Sequence, residues 1–161
     1  MDKLNPKAET GCCERFEPAP WMDKEIKFNN KLFLKDHVCC IFHIPIGFGG
    51  VMKRGMEKIS AAGALADKPL MLYDATSLFG ADILIAVGKE VPGAKMERIS
   101  GTFLSKVFEG DFQDSGKWMK EMDAYVKAKG KQAKKTYFYY TTCPACAKVY
   151  GKSYTVLLAE V

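Results

Sequence analysis

Apolar and polar residues along this chain alternate with a period of two, switch to a helical period, and return to alternation, and that succession occurs twice. The first passage starts at DHVCCIFHI, crosses FGGVMKRGMEKISAAGA and continues with LMLYDATS and ADILIAVGKEV. The second starts at MERISGTFLSKVFEG, crosses SGKWMKEMDAYVKAKG and ends with KTYFYYTT and KSYTVLLAEV. In the first helical stretch Val51, Met52, Met56 and Ile59 share one stripe, with Lys53, Arg54, Glu57 and Lys58 on the other faces. In the second, Trp118, Met119, Met122, Tyr125 and Val126 do the same, with Ser115 as the expected N-cap. Each stretch closes on a glycine, Gly63 and Gly130, 130 − 63 = 67 positions apart. An offset of this kind marks a duplication at the level of pattern. The expected fold is therefore α+β: two tandem βαββ repeats, about residues 36–92 and 96–161, related by pseudo-twofold symmetry. They would share an antiparallel sheet with the helices on one side and a central ligand cleft, the usual place for a small-molecule site.

Outside the repeats, residues 1–22 carry Pro6, Pro18, Pro20 and a Cys12-Cys13 pair without either period, and read as an irregular arm. KEIKF and KLFLK flank Asn29-Asn30, which predicts a short hairpin. IGFGG lacks the lysine and hydroxyl residues of a phosphate loop, and is expected to turn the chain into the first helix. With 161 residues, positions 23–161 fit a single domain. The longest apolar run, Val38 to Pro45, is interrupted by His43 and is far below the ~20 residues that span a bilayer, and the start lacks a signal core. The chain is thus expected to be cytoplasmic, away from membranes. A net charge of +5 without a basic stripe or recognition helix argues against nucleic acid.

Alternation also sorts candidate chemistry by face. Phe103, Ser105, Val107 and Glu109 share one row, which sets a carboxylate among mostly apolar neighbours. It is a candidate general acid or base, or a cap on the following helix. KTYFYYTT is aromatic on both faces, with Tyr137 and Tyr139 on one. Asp74 lies on the equivalent strand of the first repeat, and Asp82 follows it. His37 and His43 share a face with Cys39 and Ile41, where hydrogen-bonded structure is the commoner role. Cys39 and Cys40 alternate on a strand. Cys143-Pro-Ala-Cys146 resembles one knuckle of a zinc ribbon, and Cys143 and Cys146 are the candidate ligands, although a closed site needs two more. A thioredoxin-type role would need a long helix after the motif, for which few residues remain before the last strand.

The tandem units and the turn VFEGDF before the second helix resemble the GyrI-like small-molecule-binding superfamily, from about Lys31 to Val161. VFEGDF looks like that superfamily's histidine-any-glycine-any-aromatic turn, with Phe108 at the histidine position and Gly110 and Phe112 matching. The resemblance implies effector-binding halves of regulators, gyrase-inhibitor-like proteins, or hydrolases of cyclopropane-containing genotoxins. TYFYYTTCP departs from it: Phe138 stands where the family places a carboxylate two positions before a tyrosine, here Tyr140. Glu109, Asp74 or Asp82 would have to substitute.

The leading expectation is a stand-alone binding protein, monomer or homodimer, without a cofactor. It would hold an apolar or aromatic ligand against Tyr73, Phe103, Glu109, Trp118, Tyr137 and Tyr139. The alternative is a hydrolase of strained electrophiles, with Glu109 or Asp74 activating water. A third is an interaction protein stabilised by structural zinc on the cysteine pairs.

Overall fold

A computed structural model describes residues 16–42, 44–66, 70–77, 79–110, 112–141 and 144–161. The fold is α+β, with antiparallel strand pairs and, among the described residues, three α-helices. The chain divides into two compact units, Phe28–Ser100 and Gly101–Val161 together with the residues up to Lys27. No helix among the described residues is long and apolar enough to cross a membrane.

The unit of residues 28–100 holds most of β1 (Lys24–Ile41), then β2 (Ile44–Ile46), α1 (Phe48–Ala61), β3 (Met71–Ser77), β4 (Gly80–Ala86) and the start of β5 (Lys95–Glu109). Its strand order is β2-β1-β4-β3. Phe33, Leu72 and Leu84 are fully or almost fully buried on one face of these strands. Leu34, Val38 and Ile83 are buried on the other, where α1 packs through Val51, Gly55 and Ile59. Gly55 is small for a reason, since a Cβ there would lie 2.9 Å from Ile85 Cδ1.

In the second unit the order is β6-β7-β5, with β6 at Lys135–Tyr140 and β7 at Tyr154–Glu160. Helix α2 (Ser115–Ala128) buries Trp118, Met122 and Val126, and Trp118 stacks on Phe108 at 5.7 Å between ring centroids. The opposite face of the sheet is covered by the arm. A 3-10 turn at Ala19–Trp21 brings the Trp21 ring to 5.5 Å from that of Tyr139, and Ser105 Oγ donates to the Trp21 carbonyl at 2.6 Å.

Both long helices end alike. The Ala64 amide donates to the Ile59 carbonyl and that of Lys131 to Val126, each bond spanning a glycine with positive φ, Gly63 and Gly130. This is the Schellman closure, and it satisfies carbonyls that the last turn leaves open.

Three local expectations are corrected. KEIKF and KLFLK form one continuous strand, because Asn30 takes the left-handed conformation (φ 50°) without reversing the chain. There the Ser100 hydroxyl donates to the Asn30 side-chain oxygen and accepts from the Asn30 amide. Ser115 is the first helical residue of α2 rather than its cap. Asp114 holds the cap position, without a side-chain capping bond. Where few residues were expected to remain for a helix, the seven-residue α3 (Pro144–Tyr150) starts within the CPAC motif itself, and Cys146 is buried in it.

The VFEGDF turn depends on Gly110, whose φ of 137° disfavours any side chain and whose added Cβ would stand 3.3 Å from Asp114 Oδ2. Gly110→Ala is expected to cost about 1–3 kcal/mol, read as a lower denaturant midpoint at unchanged slope. A midpoint equal to wild type would show that the turn relaxes freely.

Candidate active site

Within residues 28–100 a cavity of about 350 Å³ opens where β1 runs past the start of β5, walled by β1, β4, the last turns of α1 and the turn at Gly93. Its chemistry follows from strand register. Phe33 pairs with Ala86 and Leu34 with Ile85, and burial of these residues fixes the alignment, since a slip of one residue would turn every side chain to the wrong face. The same register sets His37 directly opposite Asp82. Their side chains meet, with His37 Nδ1 3.0 Å from Asp82 Oδ1. A carboxylate can only accept, so Nδ1 carries the proton, and in the neutral ring Nε2 keeps its lone pair. The His37 side chain is 56% exposed and that of Asp82 20%. This is an accessible imidazole held by a sheltered carboxylate.

Neighbouring charges hold the pair in place. Asp82 Oδ2 lies 3.6 Å from the Lys35 ammonium, which also reaches Glu97 at 3.3 Å. Burial pulls the Lys35 pKa down, but Glu97 and Asp82 outweigh it and the net shift is upward. Lys35 is a permanent cation there. On the other face of β1, Asp36 accepts two bonds from Arg54 Nη2 and one from Nε, at 2.8–3.0 Å, and another from the His37 amide at 2.8 Å. Burial pushes the Asp36 carboxyl up, yet the His37 amide, Arg54 and Lys58 outweigh it and hold its pKa below the ordinary value. The backbone at His37 is thereby tied to α1.

A third carboxylate extends the row. Asp74 on β3 is directly opposite Asp82 on β4, so His37, Asp82 and Asp74 stand at one level across three strands. Asp74 is 7% exposed. Cys39, two residues beyond His37 on the same face, is an exposed thiol.

The residues picked out from sequence are dispersed. Tyr73 belongs to this unit but faces away from Asp74. It is buried with its hydroxyl 3.4 Å from Cys40 Sγ and its ring 6.3 Å from that of Phe48. In the other unit Phe103 and Tyr137 are buried together, 6.1 Å between ring centroids, and Tyr139 lies under Trp21 and Phe16. Trp118 packs on the opposite face of that sheet, against Phe108. Glu109 is exposed at the end of β5, opposite Tyr154. Cys146 is buried, while Cys143, Cys12, Cys13 and His43 lie outside the described residues. Among the described residues no three His, Cys, Asp or Glu side chains converge as metal ligands.

A base needs an orienter and room for its target, and His37, Asp82 and the cavity supply these. The chain belongs to the bacterial hydrolase family, whose model matches residues 3–161. No curated protein matches it.

Arg54 controls the acid limb of stability. Because the folded pKa of Asp36 is depressed, its contribution is full above the ordinary carboxylate range and is lost as pH falls through the lowered value. In Arg54→Ala that value rises, so the decline should begin at higher pH, with a loss of about 1 kcal/mol at neutral pH. Thermal melts between about pH 3 and 6 would read this, and superimposable profiles would count against the linkage.

Proposed function

We propose that this chain is a hydrolase in which His37, oriented by Asp82, activates water against an electrophilic carbonyl or strained ring. The observation that carries the reading is the His37–Asp82 bond at the rim of the cavity. Nε2 takes a proton from water as the oxygen attacks the electrophilic carbon. The imidazolium, neutralised by Asp82, then returns that proton to the leaving atom as its bond to the attacked carbon breaks, the oxygen of an ester, lactone or epoxide or the ring carbon of a strained carbocycle. The family description adds support for hydrolysis. No cofactor takes part in these steps, and zinc on Cys143 and Cys146 would have a structural role only.

The asymmetry between two similar units supports the assignment to this row. We read them as a tandem βαββ duplication of the GyrI-like kind: β1-α1-β3-β4 and β5-α2-β6-β7, with β2 and α3 as insertions. In both, the first strand pairs with the last and the last with the middle one. The buried helix residues Val51, Gly55 and Ile59 match Trp118, Met122 and Val126 at one offset, since 118 − 51, 122 − 55 and 126 − 59 all equal 67. Aligning the buried pair Phe33 and Phe103, His37–Asp82–Asp74 corresponds to Val107–Val156–Tyr139, a row of the same pairings built from two valines and a tyrosine. Stability alone is served by the apolar version. The polar version sacrifices packing, as functional sites do.

The test is turnover of a panel of activated esters, lactones and epoxides by the wild type, His37→Asn and Asp82→Asn. The wild type should hydrolyse at least one class, and each variant should lose about 10²–10⁴-fold in kcat. Glu109→Gln should retain activity. Stoichiometric binding without product would return the protein to the class of small-molecule carriers, and full activity in His37→Asn would sink the mechanism.

A further inference from the structure

We infer that the site takes a substrate carrying an anionic group, a carboxylate or a phosphate, and that Lys58 and Lys95 hold it beside His37. This deepens the hydrolase reading and rests on it. Four permanent cations line the cavity, Lys35, Arg54, Lys58 and Lys95, against two carboxylates, Asp36 and Asp82.

Following each charge to its partner leaves two lysines without an ion pair, while Glu97 on Lys35 and Asp74 opposite Asp82 bring the carboxylates of this neighbourhood to four. Arg54 is committed to Asp36 through three short bonds. Lys35 is shared between Glu97 and Asp82. Asp82 in turn is occupied by His37 and Lys35, and Asp36 by Arg54 and the His37 amide. Lys58 is near enough to Asp36 to influence its titration, and among the described residues neither Lys58 nor Lys95 forms an ion pair within 4 Å. Two ammonium groups without an ion pair on one concave surface are placed to take up an anionic group of a ligand.

The rest of the wall agrees. Its wholly apolar side chains are few, chiefly Leu34 and Ala94, and the rest of the wall is made of charged residues and their stems. Gly93 turns the chain with φ 77° and adds no bulk beside Lys95. At about 350 Å³ the cavity is at the small end of ligand pockets, enough for the reacting group and a short charged tail. Lys58, in the last turn of α1, also complements the helix dipole. That role accounts for a lysine at the helix end, but not for Lys95, which is on a strand.

The test uses ester pairs that share a leaving group and differ only in an acyl tail, neutral in one member and ending in carboxylate or phosphate in the other. Wild type should prefer the charged member by about tenfold or more in kcat/KM, mostly through KM. The preference should shrink as salt rises. Lys58→Gln and Lys95→Gln should each pull the charged-to-neutral ratio toward one by about fivefold. Lys120→Gln, on α2, serves as the control and should leave the ratio unchanged. In parallel, inorganic phosphate and succinate are titrated into His37→Asn while the Ala94 and Lys95 amide resonances are followed. Saturable shifts that vanish in Lys58→Gln and Lys95→Gln support the anion site without recourse to turnover, and the tighter of the two anions names the tail. Equal hydrolysis of neutral and charged esters, still dependent on His37, would overturn the inference and leave the hydrolase reading intact. Saturable phosphate binding without hydrolysis of any ester would do the reverse.

Discussion

The register of β1 against β4 is the constraint on which the site depends. It is set by burial: Phe33, Leu34 and Val38 have to meet Ala86, Ile85 and Ala81, and only one alignment puts all of them in the core. Once that alignment is fixed, His37 and Asp82 have no choice of neighbour. The bond between them is a consequence of packing several residues away. Core and chemistry lie on the same strand, and the row of side chains on one face of β1 passes from Phe33 in the core through Lys35 to His37 at the cavity.

Strand register and charged neighbours hold such a site in place. A side chain on a central strand is positioned more tightly than one on a loop, and the neighbouring shell is charged on both faces of β1. Asp36 ties the His37 backbone to α1 through Arg54, and Lys35 pins the carboxylate that holds the imidazole. The arrangement sets Asp82 beside a cation while leaving the imidazole open to solvent, the combination a general base requires. Within the duplication we propose, one copy has kept an apolar row for stability and the other has used the same level of the sheet for chemistry.

Much of the fold was legible from the chain. Helical periodicity placed α1 and α2 to within a residue or two, and the glycines that end them were recognisable because a positive φ at that position favours glycine. Alternation marked the strands. The hairpin at Asn29-Asn30 was misread because asparagine signals a left-handed residue and says nothing about whether the chain reverses there. Helix α3 has no legible period because two turns opened by a proline leave too short a window.

The site was less legible, for a physical reason. Alternation tells which residues of one strand share a face, so it placed His37 beside Cys39. It cannot tell which residue of another strand lies opposite. Asp82 and Asp74 were noticed as carboxylates, yet their alignment with His37 depends on two registers that no local pattern encodes. The aromatic residues drew attention by size, and size is what a core selects: Phe103, Trp118 and Tyr137 are buried. Glu109 looked sheltered because its row is apolar, but it ends the strand and faces water. The central claim is that Asp82 fixes His37 as a base with Nε2 unprotonated. Long-range nitrogen–proton NMR of the His37 ring, in wild type and in Asp82→Asn, tests it most directly. The account predicts the Nδ1–H tautomer in the neutral wild-type ring and a mixed or reversed population in the variant. An Nε2–H ring in the wild type, or a tautomer indifferent to Asp82, would contradict it.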